Sequence, residues 1–160
     1  MLSSTIAPFR KTVRALLAFN SLGQLAAGFV LGMIVGLVPK GNLIALSLCV
    51  LLFSLRCNKG LALVAAVLFS CIATWTDPIA HKIGLAALGA ESMQAAYASV
   101  INLPLGPWLE FNNTVVTGSL LLGLYLCYPV YWSVRAMCGL LQNLTRSSWH
   151  RTAPQPGGAA

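Results

Sequence analysis

The residues that could do chemistry are few and lie close together. Asp77, Glu91 and Glu110 are the only acidic side chains, and His81 follows Asp77 by four residues. On a helix that spacing puts Asp77 and His81 on one face, where they could share a proton or begin a metal site with Glu91. A metal site needs three or four converging ligands, and the spacing supplies two. The plainer reading makes Asp77 the N-cap of a helix that Pro78 opens. An Asp side chain accepts from free N–H groups there, and Pro suits the first helical position. No H-E-x-x-H, G-x-S-x-G, Walker loop or dinucleotide fingerprint is present. With three acids and two histidines in the chain, acid–base catalysis has few agents. The expectation is a non-enzymatic protein with no catalytic, cofactor-binding or metal-binding residues.

Cys49, Cys57, Cys71, Cys127 and Cys138 show no C-x-x-C spacing, and four of them sit inside apolar runs. Such cysteines behave as small hydrophobes, so neither a disulfide framework nor a zinc site is expected. Hydrophobic residues make up 58% of the chain and charged residues 8%, where a soluble domain carries roughly a quarter charged. The net charge is +7, but the basic residues are scattered between apolar runs. That pattern fits membrane topology, not a phosphate-binding face, and no nucleic-acid partner is expected.

The elements that would position these residues are apolar runs separated by turn chemistry. The first covers residues 22–38 and stops at the turn Pro39-Lys40-Gly41-Asn42; the second covers 43–55; the third covers 61–76; the fourth begins near Thr114. A crossing takes about 20 apolar residues. The sequence therefore predicts an all-α integral membrane protein with a membrane domain over residues 21–141. Its four spans lie at about 21–38, 42–56, 60–76 and 113–133. The second run is short, and a re-entrant hairpin of the first two runs, tipped by Pro39 and Gly41, is the alternative. An amphipathic helix over residues 1–20 precedes the spans. Outer interfacial helices are expected over residues 78–90 and Glu91–Ile101, with Trp108 near the headgroups. Pro129 should kink the fourth run, and Tyr125, Tyr128, Tyr131 and Trp132 suit an interfacial belt. Residues 142–160 read as a disordered tail.

Basic residues orient the chain. With both termini in the cytoplasm, Arg10, Lys11, Arg14, Arg56, Lys59, Arg135, Arg146 and Arg151 lie inside and Lys40 and Lys82 outside, eight against two. That places the chain as a multi-pass protein of a bacterial inner membrane. The turn holding Arg56, Asn58 and Lys59 is a topology anchor, or a small basic site for lipid headgroups or an acidic partner segment.

Gly28, Gly32 and Gly36 form a ridge without side chains, and Ala62, Ala66, Ser70 and Thr74 form a second small stripe. The expectation is that these two faces meet, within one chain or between copies. The order AAGFVLGMIVGLVPKGN, LRCNKG, DPIAHKIG resembles the bacterial membrane family catalogued as domain of unknown function 2062, over about residues 20–90. The resemblance rests on Gly28, Gly32, Gly36, Pro39, Gly41, Arg56, Asn58, Asp77 and Pro78, with Asp77 where many members carry Asn. It implies a helical, membrane-embedded fold and brings no activity. The functional expectation is a scaffold or accessory subunit of a cell-envelope membrane complex, with the bilayer, a membrane protein or a second copy as partner. A small oligomeric transporter or channel for lipid or a small solute is the alternative, because two short helices meeting at a turn resemble broken-helix substrate sites.

Overall fold

The structure, a computed structural model, describes residues 21–152, with side chains through Asn143. The amphipathic helix expected over residues 1–20 lies outside the described residues. Within them the chain is all-helical: α1 (Leu22–Leu37), α2 (Leu43–Ser54), α3 (Lys59–Leu88), α4 (Glu91–Ile101), a 3-10 turn (Gly106–Leu109) and α5 (Thr114–Thr152).

Short polar side chains start the first three helices. Ser21 and Gln24 form a reciprocal capping box at α1, Asn42 accepts from the Ala45 N–H at α2, and Asn58 accepts from the Leu61 N–H at α3. Each bond satisfies a backbone donor that the first helical turn leaves open. The turn between α1 and α2 needs Gly41, whose φ of 103° is a region side-chain-bearing residues rarely enter.

α1 lies at the centre. Ten of its 16 residues are buried, as expected of a helix apolar on every side. One face carries Gly28, Gly32 and Gly36. A methyl at Gly28 would come within 2.5 Å of the Asn58 carbonyl oxygen, one at Gly32 would overlap the Ala62 carbonyl, and one at Gly36 would lie 2.7 Å from the Ala66 carbonyl. The partner positions advance with the glycines, so α1 and α3 run parallel with their backbones in contact. A second face of α1 meets α5. Leu25 and Ala26 pack with Val134 and Cys138, and Gly123 lies against Ile34. Here sequence numbers rise on one helix as they fall on the other, so α5 is antiparallel. A third face meets the returning α2, where Val35 and Leu52 share a small apolar cluster with Ala62 of α3.

The sequence suggests that the third run ends at Thr76 and that Asp77 caps a new helix. Instead α3 continues through Asp77 and Pro78 to Leu88, so Asp77 is mid-helix and caps nothing. A proline inside a helix costs about 3 kcal/mol because it removes one hydrogen bond and crowds the preceding turn. Packing beyond the proline offsets that cost. Gly84 meets the Thr114 backbone and Gly118 meets the Ala80 carbonyl, each too closely to admit a methyl. The interfacial helix expected over residues 78–90 is thus the upper part of α3. At the other end α5 continues past Leu141 to Thr152, so the tail read as disordered from Gln142 is helical over its first part. Pro129 is accommodated inside α5.

Two helices are long and apolar enough to cross a membrane: Lys59–Leu88 and the Thr114–Asn143 part of α5. Only 11% and 28% of their most apolar stretches are buried, which separates them from core helices of a soluble domain. Val64, Val67, Leu68, Ile72, Leu124 and Leu140 all face outward. α1 and α2, at 16 and 12 residues, are shorter apolar helices.

The backbone contact sets a clear expectation. Gly32→Ala and Gly118→Ala each destabilise the detergent-solubilised protein by about 1–3 kcal/mol, the range for overpacking. Gly23→Ala is tolerated, because its methyl would meet nothing closer than the Tyr131 hydroxyl at 3.4 Å. Thermal unfolding of the three variants checks this.

Candidate functional site

The polar residues singled out in the sequence fall at two corners and one helix junction. At the α1–α2 corner, the Asn42 side-chain amide donates to the Pro39 carbonyl at 3.0 Å while its oxygen caps α2. Lys40 turns its ammonium back onto the end of α1 and donates to the carbonyls of Val35, Gly36 and Val38 at 2.7, 3.0 and 2.9 Å. A cation at a helix C-terminus complements the helix dipole and occupies carbonyls that have no helical partner. The residue as a whole is exposed, yet its ammonium end is partly shielded. That burial draws the Lys40 pKa below the usual lysine range, an effect that neighbouring Cys49 opposes. The three carbonyls favour the charged form, so Lys40 acts here as a tethered cap.

At the α2–α3 corner, buried Asn58 does more than cap α3. Its N–H donates to the Gln24 carbonyl at 3.1 Å, which ties the start of α3 to the first turn of α1. Gly28 lies against the same Asn58 backbone. Arg56 and Lys59, on either side, are exposed. Asp77 lies 18 residues up α3 from Lys59, about 27 Å at 1.5 Å per residue. Arg56 and Asp77 therefore belong to opposite ends of the bundle.

The third place is the junction of α3 and α5. His81 Nδ1 lies 2.6 Å from the Thr114 hydroxyl, beside the Ala80–Gly118 and Gly84–Thr114 backbone contacts. His81 thus pairs with Thr114, and Glu91 is exposed at the start of α4. Among the described residues no three His, Cys, Asp or Glu side chains gather as a metal site. No buried side-chain nitrogen or oxygen is left without a hydrogen-bond partner among them either.

The small-residue positions divide between two partners. Ala62 and Ala66 meet α1, and the Ser70 hydroxyl donates to the Gly36 carbonyl at 3.4 Å and to the Ala66 carbonyl at 2.7 Å. Thr74 is exposed. The stripe resumes higher on α3 as Ala80 and Gly84, facing Thr114 and Gly118 on α5. The sequence reading missed that second seam, although both pairs show the four-residue small-residue spacing that marks close helix contact.

No family model and no solved structure matches this chain. It is 33% identical over 119 residues to an uncharacterized protein of Treponema pallidum (strain Nichols), across 74% of this chain and 73% of that protein. The chain belongs to that protein's family.

These placements predict different responses from Asn58, a buried cap, and Asp77, which stands mid-helix. Asn58→Ala costs about 1–2 kcal/mol, since it removes a buried cap. Asp77→Ala changes stability by less than about 0.5 kcal/mol, the usual effect of a substitution away from any cap or core contact. Chemical or thermal unfolding in detergent distinguishes the two.

Proposed function

We propose that this chain, a member of the Treponema pallidum protein's family, is a multi-pass protein of a bacterial inner membrane with both termini in the cytoplasm, and that it acts as a non-enzymatic scaffold or accessory subunit of a cell-envelope membrane complex. In this reading α1 and α2 cross beside α3 and α5, with flanking residues completing their length. The spans between Lys59 and Asp77 and between Thr114 and Trp132 each cover 18 residues, about 27 Å, close to the roughly 30 Å hydrocarbon layer. The motif order that resembles the domain of unknown function 2062 family is read as a likeness of fold. Pro39, Gly41 and Asn58 form its turns and caps.

The observation that carries the scaffold reading is the segment after α3. α4 buries none of its residues, and Met93, Ile101, Leu103, Leu105 and Trp108 are exposed along it and the turn that follows. A segment with little packing inside its own chain leaves apolar surface for another protein. A second support is that the helices meet backbone to backbone and that Lys40, Asn42 and Asn58 at the corners are engaged in capping.

The transporter alternative draws on the short helices meeting at Pro39–Asn42. There Asn42 and the Lys40 ammonium are already taken up by the turn's own backbone, which gives that reading less support.

Crosslinking in intact membranes followed by gentle solubilisation should recover a stoichiometric complex. A Leu105→Asp, Trp108→Asp double variant should lose the partner while remaining folded. Recovery of lone monomers, or flux of lipid or ions in vesicles reconstituted with the purified protein, contradicts the scaffold.

A further inference from the structure

Three exposed basic side chains gather at one end of the bundle. Arg56 and Lys59 flank Asn58, which is bonded to Gln24 at the foot of α1. Arg135 reaches the same end along α5, because its neighbour Val134 packs with Leu25 and Ala26. The Arg135 guanidinium lies over the Trp132 ring, 5.5 Å from its centroid. Trp132 in turn meets Tyr128 and Tyr131 edge-on, with centroids 6.4 and 6.0 Å away. Such amphipathic rings settle at the headgroup level of a bilayer, so this belt sets the depth at which Arg135 lies.

Among the described residues no acidic side chain sits nearby to neutralise these cations. Asp77 is about 27 Å up α3, Glu91 opens α4, and Glu110 ends the 3-10 turn. All three belong to the opposite end, well beyond the screening length of about 8 Å at physiological salt. Just above the cations, Leu55 and Leu63 are exposed, an apolar wall at the height of acyl chains.

We propose that Arg56, Lys59 and Arg135 form a binding surface for the headgroup of an anionic phospholipid, whose acyl chains lie along Leu55 and Leu63. The assignment rests on the membrane-spanning reading above. Arginine suits the role because its planar fork donates to two phosphate oxygens at once, and stacking on Trp132 holds Arg135 ready. Lys59 adds a point charge. The apolar wall makes the ligand a lipid; free phosphate would gain nothing from it.

The test uses the purified full chain. Carbonate-resistant flotation with phosphatidylcholine vesicles first reports insertion. Native mass spectrometry from detergent then compares retention of phosphatidylglycerol and phosphatidylcholine. The wild type should retain phosphatidylglycerol preferentially, and inorganic phosphate should not displace it. Replacing Arg56, Lys59 and Arg135 by Gln should weaken that preference by about fivefold per residue, from about 1 kcal/mol for each basic side chain near the surface. Lys40→Gln and Lys82→Gln, at the far end, should leave it unchanged, and Arg135→Lys, which keeps the charge but loses the fork and the ring stacking, should retain only part of it. Insertion without a lipid preference, a preference that survives the triple substitution, or displacement by phosphate overturns the lipid site alone. Failure to float overturns the membrane reading and the lipid site with it.

Discussion

The arrangement depends on the missing side chains along one edge of α1. Because Gly28, Gly32 and Gly36 present bare backbone, α3 can lie against α1 at a distance no other residue would permit. Among lipid tails the hydrophobic effect does not drive helices together, since lipid is as apolar as leucine. Close packing and dispersion must hold them instead. Backbone contact maximises both. The same device recurs where Gly84 and Gly118 bring α3 and α5 together, so α3 is clasped by α1 along its lower part and by α5 higher up.

The polar residues serve this packing. Asn58 caps α3 and fastens it to Gln24, which sets the register in which the glycine ridge meets Ala62 and Ala66. Lys40 and Asn42 close the opposite corner by satisfying carbonyls and an N–H that a tight turn would otherwise leave open. Unsatisfied backbone groups are especially costly in an apolar medium. This explains why Lys40, Asn42 and Asn58 stand at the turns. The bundle that results has distinct ends, one with Arg56, Lys59 and Arg135 and the other with the acids, and that polarity underlies the proposed orientation and lipid site.

Much of this was legible in the sequence, because apolar runs and turn residues are local signals. The starts of α1, α2 and α5 follow from the apolar runs that begin at Leu22, at Leu43 and near Thr114, and α4 begins and ends where the sequence suggests. Pro78 misled for a physical reason. Proline reads locally as a helix start, but the Ala80 and Gly84 contacts with α5 come from residues more than thirty positions away and carry the helix through. The pairing of His81 with Thr114 was illegible on the same ground. The second small-residue seam is visible in the spacing of Ala80 with Gly84 and Thr114 with Gly118, beyond the Thr74 end of the first stripe. The extent of α5 beyond Gln142 runs against a tail rich in proline and glycine, whose composition says little about the residues just before it.

In the proposed function, membrane insertion with opposed ends is what gives these contacts their role. Single cysteines in a background stripped of the five native ones report it directly. With a membrane-impermeant thiol reagent, cysteines replacing Ser92 and Asn143 should label from opposite sides of the membrane, and one replacing Val67 should stay unlabelled from either. Labelling of Ser92 and Asn143 positions from the same side, or ready labelling at Val67, would contradict the account.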